Sequence, residues 1–91
     1  MTIKYFATIR TYTGENERRV DEPPATLGPL LETLAARYGT SFRRAVFAGD
    51  ELSPEIIILV NGRNVLYSGL LEVPLTADDE ISIFPLSLIH I

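Results

Sequence analysis

The chain has 91 residues, 46% of them hydrophobic, with eight Lys+Arg against twelve Asp+Glu, a formal net charge of −4 and no cysteine. That length makes one domain near the lower limit for burying a core unaided, and a mildly acidic chain whose basic residues pair up only at Arg18-Arg19 and Arg43-Arg44 lacks the electrostatic footprint for nucleic acid. The missing cysteine excludes disulfides, thiolate zinc sites and iron–sulfur clusters, and with neither a leader pattern nor an apolar run near the ~20 residues of a membrane span, the expected location is the cytoplasm.

Residues 2–10 alternate, with Ile3, Tyr5, Ala7 and Ile9 on one face and Lys4, Phe6, Thr8 and Arg10 on the other, so a half-buried strand with inward odd positions is expected. Thr13-Gly14-Glu15-Asn16 is a turn, and Glu17 to Val20 a second strand that completes an opening hairpin. The breaker Asp21-Glu22-Pro23-Pro24 follows. Thr26 is a candidate helix cap, Leu27, Leu30, Leu31, Leu34 and Tyr38 recur at helical spacing, and Gly39 ends the run. Pro29 is compatible because it falls in the first turn, where its missing N–H is not needed. Ser41 to Phe47 has the make-up of a short second helix, and Gly49-Asp50 that of a turn.

Ile56-Ile57-Ile58-Leu59-Val60 is a continuous apolar run of high β propensity, expected to be a strand covered on both faces. Asn61-Gly62 is a strong hairpin signal, and Arg63 to Tyr67 would be the return strand. After an acidic turn at Asp78-Asp79, a last strand places Ile81 and Ile83 on one face and Ser82 and Phe84 on the other. A hairpin, one main crossing helix and further strands make an α+β roll around a mixed sheet. The first and last strands each carry one aromatic, Phe6 and Phe84, on the polar parity; if those strands are neighbours, the two rings share one exposed patch.

No catalytic constellation is present. His90 is the only histidine and lies at the chain end, so neither a triad nor a metal site is expected. Asp78-Asp79-Glu80 and Asp50-Glu51 sit at turns without the ligand spacing of a binding loop, and the glycines form no phosphate-binding motif.

The segments Ile3-Lys4-Tyr5-Phe6-Ala7-Thr8-Ile9-Arg10 with Thr13-Gly14, then Thr26 through Gly39, then Leu59-Val60-Asn61-Gly62-Arg63, then Pro74 through Pro85, stand in an order and spacing that resembles the MoaD/ThiS ubiquitin-like sulfur-carrier family. The resemblance covers residues 1–85 and is nearest to the small subunit of molybdopterin synthase. It implies a β-grasp fold and a carrier, not an enzyme. The C-terminal glycine carboxylate of such a carrier is adenylated with ATP by a ubiquitin-activating-type adenylating enzyme and converted to a thiocarboxylate. The tail then delivers sulfur inside the molybdopterin synthase large subunit. Glycines suit such a tail because, without a Cβ, it can thread a narrow channel. The resemblance also implies no bound cofactor and a partner-docking surface at Phe6, Arg10, Phe84 and Pro85; Arg10 reads equally well as a solvated charge at a strand end.

The ending departs from the pattern. Aligned on Phe84-Pro85, the family's glycines fall at or next to Ile89-His90, and no Gly-Gly exists anywhere in the chain. A divergent binding module, a pseudocarrier and an unnatural ending each account for this. The favoured expectation is that residues 86–91 lie outside the domain of residues 1–85 and are artefactual. Leu-Ser-Leu-Ile-His-Ile is what CTG-TCT-CTT-ATA-CAC-ATC encodes, a transposon end used in sequencing libraries.

Overall fold

The computed structural model describes residues 1–88, and it is built around a five-stranded sheet in the order β2-β1-β7-β5-β6. The strands are β1 (Thr2–Tyr5), β2 (Glu17–Arg19), β5 (Ile56–Val60), β6 (Arg63–Asn64) and β7 (Glu80–Pro85); β3 (Phe47–Ala48) and β4 (Glu51–Leu52) form a separate hairpin. β1 pairs with β7 in parallel, Ile3 opposite Ile81 and Tyr5 opposite Ile83, while the other pairs are antiparallel. The helices are α1 (Thr8–Thr13), α2 (Leu27–Tyr38) and α3 (Thr40–Val46). A mixed sheet wrapped over one long helix is the β-grasp arrangement.

The hydrophobic spacing of α2 does what it dictates: Leu27, Leu30, Leu31, Leu34 and Ala35 are buried against Ile3, Tyr5, Ile58, Ile81 and Ile83 of the sheet. Each of the large side chains among these contributes about 1.5–3 kcal/mol by leaving water. Thr26 stands at the N-cap position, but its side chain caps nothing. The Leu27 N–H donates instead to the Val73 carbonyl at 3.0 Å, and Leu75 N–H to Ala25 O at 2.9 Å. Gly28 permits this tie, because a Cβ there would stand 3.3 Å from the Leu71 carbonyl oxygen.

Four sequence expectations change. The strand expected over residues 2–10 ends at Tyr5; Ala7 takes φ 53° and is exposed, and the chain coils into α1. Ile9 is still buried, but from a helix packed on α3 and β7. Thr-Ile-Arg-Thr-Tyr-Thr has poor helix propensity, and tertiary packing overrides it. The return strand expected over Arg63 to Tyr67 stops at Asn64, whose side chain accepts from Leu66 N–H at 2.9 Å and opens the 3₁₀ turn Val65–Tyr67. Of the apolar run Ile56 to Val60, only Ile57 and Ile58 are buried and the rest are half-buried. α3 begins at Thr40, and Phe47 passes from the expected helix into β3.

Asn61 and Gly62 both take positive φ, 52° and 84°, which is the two-residue hairpin geometry that Gly tolerates without cost. Asn61 also reaches across to the turn before β7. Its Nδ2 donates to Asp79 Oδ1 at 2.8 Å and its Oδ1 accepts from Glu80 N–H at 2.9 Å. Asp79 accepts in addition from the N–H and the hydroxyl of Thr76. Partial burial works to raise the Asp79 pKa, but the Thr76 and Asn61 hydrogen bonds and the nearby terminal ammonium outweigh it and hold the carboxyl below its usual value. A depressed folded-state value means stability that is full above the unfolded value and lost as pH falls through the folded one. Asp79→Asn should therefore cost about 1 kcal/mol near neutrality, since the site is solvated. The gap from wild type should close as pH falls below the ordinary carboxylate range in urea titrations; a gap independent of pH would refute the assignment.

Candidate docking face and the exit of the last strand

The parallel pairing of β1 with β7 decides the site. Inward residues Ile3, Tyr5, Ile81 and Ile83 leave the opposite parity of both strands on the outer face of the sheet, and Phe6 N–H continues the ladder by donating to Ile83 O at 3.1 Å. The rings of Phe6 and Phe84 meet edge to face, with centroids 5.9 Å apart and planes at 87°. Both are only half-buried. Edge-to-face pairing places the positive rim of one ring on the negative face of the other, so the two hold each other in place.

Arg10 joins this pair from α1, not from a strand end. Its guanidinium carbon lies 5.5 Å from the Phe6 ring centroid, and its Nε donates to the Tyr5 carbonyl at 2.8 Å. The coil at Ala7 thus folds the arginine back over the aromatic pair, a cation–π placement that the strand pattern did not indicate. Pro85 ends β7 opposite Ile56. Of the four residues singled out in the sequence, Phe6, Arg10 and Phe84 are brought together on the outer face, while Pro85, of the opposite parity, ends the strand beside Thr8, Ile9 and Tyr12.

Two further residues belong to the face. Ile57 is in register with Phe84, and Leu59 with Ser82. Their parity was visible in the apolar run, but only the β5–β7 register shows which of its residues share the face of Phe84. Towards the other end the face is charged, with Lys4 Nζ 3.3 Å from Glu80 Oε1.

On the other side of β1, the Tyr5 hydroxyl is 3.0 Å from that of Tyr38, and Tyr38 donates in turn to Glu15, which Arg18 also approaches at 3.4 Å. Since Tyr38 gives its proton to Glu15, Tyr5 donates to Tyr38. Burial pushes the Tyr5 phenol well above its ordinary value, while the Tyr38 hydrogen bond holds Glu15 below its own. This chain of hydrogen bonds satisfies a buried hydroxyl and faces α2, away from the aromatic pair.

Among the described residues no group of His, Asp and Glu is placed to hold a metal, and no helix is long and apolar enough to cross a membrane. What the outer face offers is an adhesive surface beside the exit of the last strand. Leu86 follows at once, donating its N–H to Glu55 O at 2.8 Å in the 3₁₀ turn Leu86–Leu88. This bond extends the β5–β7 ladder by one step beyond Pro85. Ile89 and His90, where family glycines would fall, lie outside the described residues.

A mixed sheet grasping one long helix is the fold of ubiquitin-like proteins. The chain belongs to the ThiS family, whose pattern matches residues 3–86. It is 33% identical over 87 residues to small archaeal modifier protein 3 of Haloferax volcanii, covering 93% of this chain and 92% of that protein. It is 35% identical over 72 residues to an Archaeoglobus fulgidus protein described as a candidate sulfur carrier, covering 79% and 82%. A chain of the Amycolatopsis orientalis BexX/CysO complex superposes with a TM-score of 0.78 at 27% identity, covering 92% of each chain.

Proposed function

We propose that this chain is the sulfur-carrier small subunit of molybdopterin synthase in molybdenum cofactor biosynthesis, acting in the cytoplasm without catalytic residues of its own. The observation that carries the reading is the Phe6–Phe84 pair under Arg10, 5.9 Å between rings, beside the exit of the last strand. Phe6, Arg10, Phe84 and Pro85 dock the partner. In a chain carrying the family's terminal glycines after Pro85, the glycine carboxylate is adenylated with ATP by a ubiquitin-activating-type adenylating enzyme, a sulfur donor displaces AMP, and the resulting thiocarboxylate enters the large subunit. Adenylation is needed because a free carboxylate is a poor electrophile. Residues 86–91 do not provide the glycines this chemistry requires, in keeping with their reading as foreign to the domain.

The likeness to a small archaeal modifier protein favours a second reading, in which the same activated terminus acylates an amine. The test replaces the residues after Pro85 by a family-type tail ending in Gly-Gly and supplies a family adenylating enzyme, ATP and a sulfur donor. A mass change of one oxygen exchanged for sulfur supports the carrier. Amide-linked products alone support the modifier, and a folded chain that is never adenylated leaves only a non-covalent interaction module.

A further inference from the structure

A second apolar surface lies off the other edge of β5. β6 pairs only with Leu59 and Val60. Beyond it the chain turns away through Val65–Tyr67 and Leu70–Glu72, while the β3–β4 hairpin stands opposite. Between them runs a groove of about 790 Å³ floored by Ile56, Ile57 and Val65. Its wall presents Leu66, Tyr67 and Leu70 at 60%, 83% and 45% exposure, three large neighbouring apolar side chains on a chain of this size.

The wall is held in a conformation that leucine disfavours. Leu70 takes φ 54°, a left-handed backbone that a bulky residue seldom adopts. It is kept there by Val73 N–H to Leu70 O at 3.3 Å, by Glu72 N–H to Gly69 O at 3.0 Å, and by the close seating of Leu71 on Gly28. The result turns Leu71 inward and leaves Leu70 outward, although burying it would be favourable. Backbone strain that exposes an apolar side chain is the pattern of a surface shaped for contact.

Charge selects the occupant. The charged residues lining the groove are Glu51 and Glu72, with no Lys or Arg among the lining residues, on a chain of net charge −4. We propose that the groove docks an amphipathic, basic segment of a partner protein, its apolar side chains between Leu66, Tyr67 and Leu70 and its Lys or Arg residues against Glu51 and Glu72. Leu86 and Ile57 line the same groove, and Ile57 is the cross-strand partner of Phe84, so a segment bound there sits alongside the exit of the last strand. The proposal does not depend on sulfur transfer.

The experiment titrates the ¹⁵N-labelled chain with an amphipathic Leu/Lys helical peptide and with its Leu/Glu counterpart. Saturable amide shifts should centre on Glu51, Leu66, Tyr67, Leu70 and Leu71, with affinity at least about tenfold higher for the basic peptide. The double substitution Leu66→Ser with Tyr67→Ser, both on exposed side chains, should weaken binding at least about tenfold, as should Glu51→Lys with Glu72→Lys. Equal binding of the acidic peptide, shifts centred on Phe6 and Phe84, or binding untouched by the Ser substitutions would each overturn the proposal. So would concentration-dependent shifts of the same amides without peptide, which would assign the groove to a second copy of the chain. No outcome bears on whether a Gly-Gly terminus is thiocarboxylated.

Discussion

Phe84→Glu, and separately Phe6→Glu, should weaken the proposed complex with the molybdopterin synthase large subunit at least about 30-fold while leaving the domain folded. Each ring is half-buried on the outer face and meets its edge-to-face partner 5.9 Å away. In the free chain a carboxylate there remains solvated, so unfolding free energies should change by no more than about 1 kcal/mol. In the complex the same carboxylate is desolvated without a cation, and one half of an aromatic anchor is lost. Hot-spot losses of this kind reach at least about 2 kcal/mol, or about 30-fold in dissociation constant. Isothermal titration with chains lacking the residues after Pro85 isolates the docking face from any role of the tail. Arg10→Ala should cost less, because Phe6 and Phe84 remain paired without it. Unchanged affinity in both glutamate variants would remove the aromatic pair from the interface and, with it, the main support for the proposed function.

The largest stability effect should come from Phe42→Ala. α3 looks peripheral in sequence, yet Phe42 is fully buried, its ring 6.5 Å from Tyr5 at 82° and 5.3 Å from Tyr38 at 51°. Truncation removes most of a large buried side chain and leaves a cavity beneath the hydroxyl chain from Tyr5 through Tyr38 to Glu15. The expected cost is about 3–5 kcal/mol, a large part of the roughly 5–15 kcal/mol that holds a domain of this size together. Phe42→Leu should recover most of it, since it nearly preserves volume. Urea midpoints for the two variants provide the check. A loss below about 1 kcal/mol for Phe42→Ala would mean that α3 is not seated on the core.

The two predictions divide along the line between what local pattern encodes and what packing decides. α2 was legible to the residue, Leu27 to Tyr38, because one helical face must carry the core and a glycine stops it. The hairpin at Asn61-Gly62 was legible because two successive positive φ angles are cheap for that pair. α1 was not: Thr8 to Thr13 alternates like a strand and is rich in β-branched residues, and only the place prepared for Ile9 among α3, β1 and β7 makes it helical. Nor was the groove, since no pattern in Leu66, Tyr67 and Leu70 says that a strained turn will leave them outside.

By itself the sequence determined the class of fold, the buried face of its main helix and the family to which residues 3–86 belong. Only the tertiary structure decided that Phe6, Phe84 and Arg10 form one cluster. Its members come from segments more than seventy residues apart in the chain, and their meeting depends on the parallel register that sets Tyr5 beside Ile83 and on the coil at Ala7 that brings Arg10 back. Parity along a strand is a local property; which strand lies beside it is a property of the whole core, because burying Ile3, Tyr5, Ile81 and Ile83 together against one helix is what selects that register.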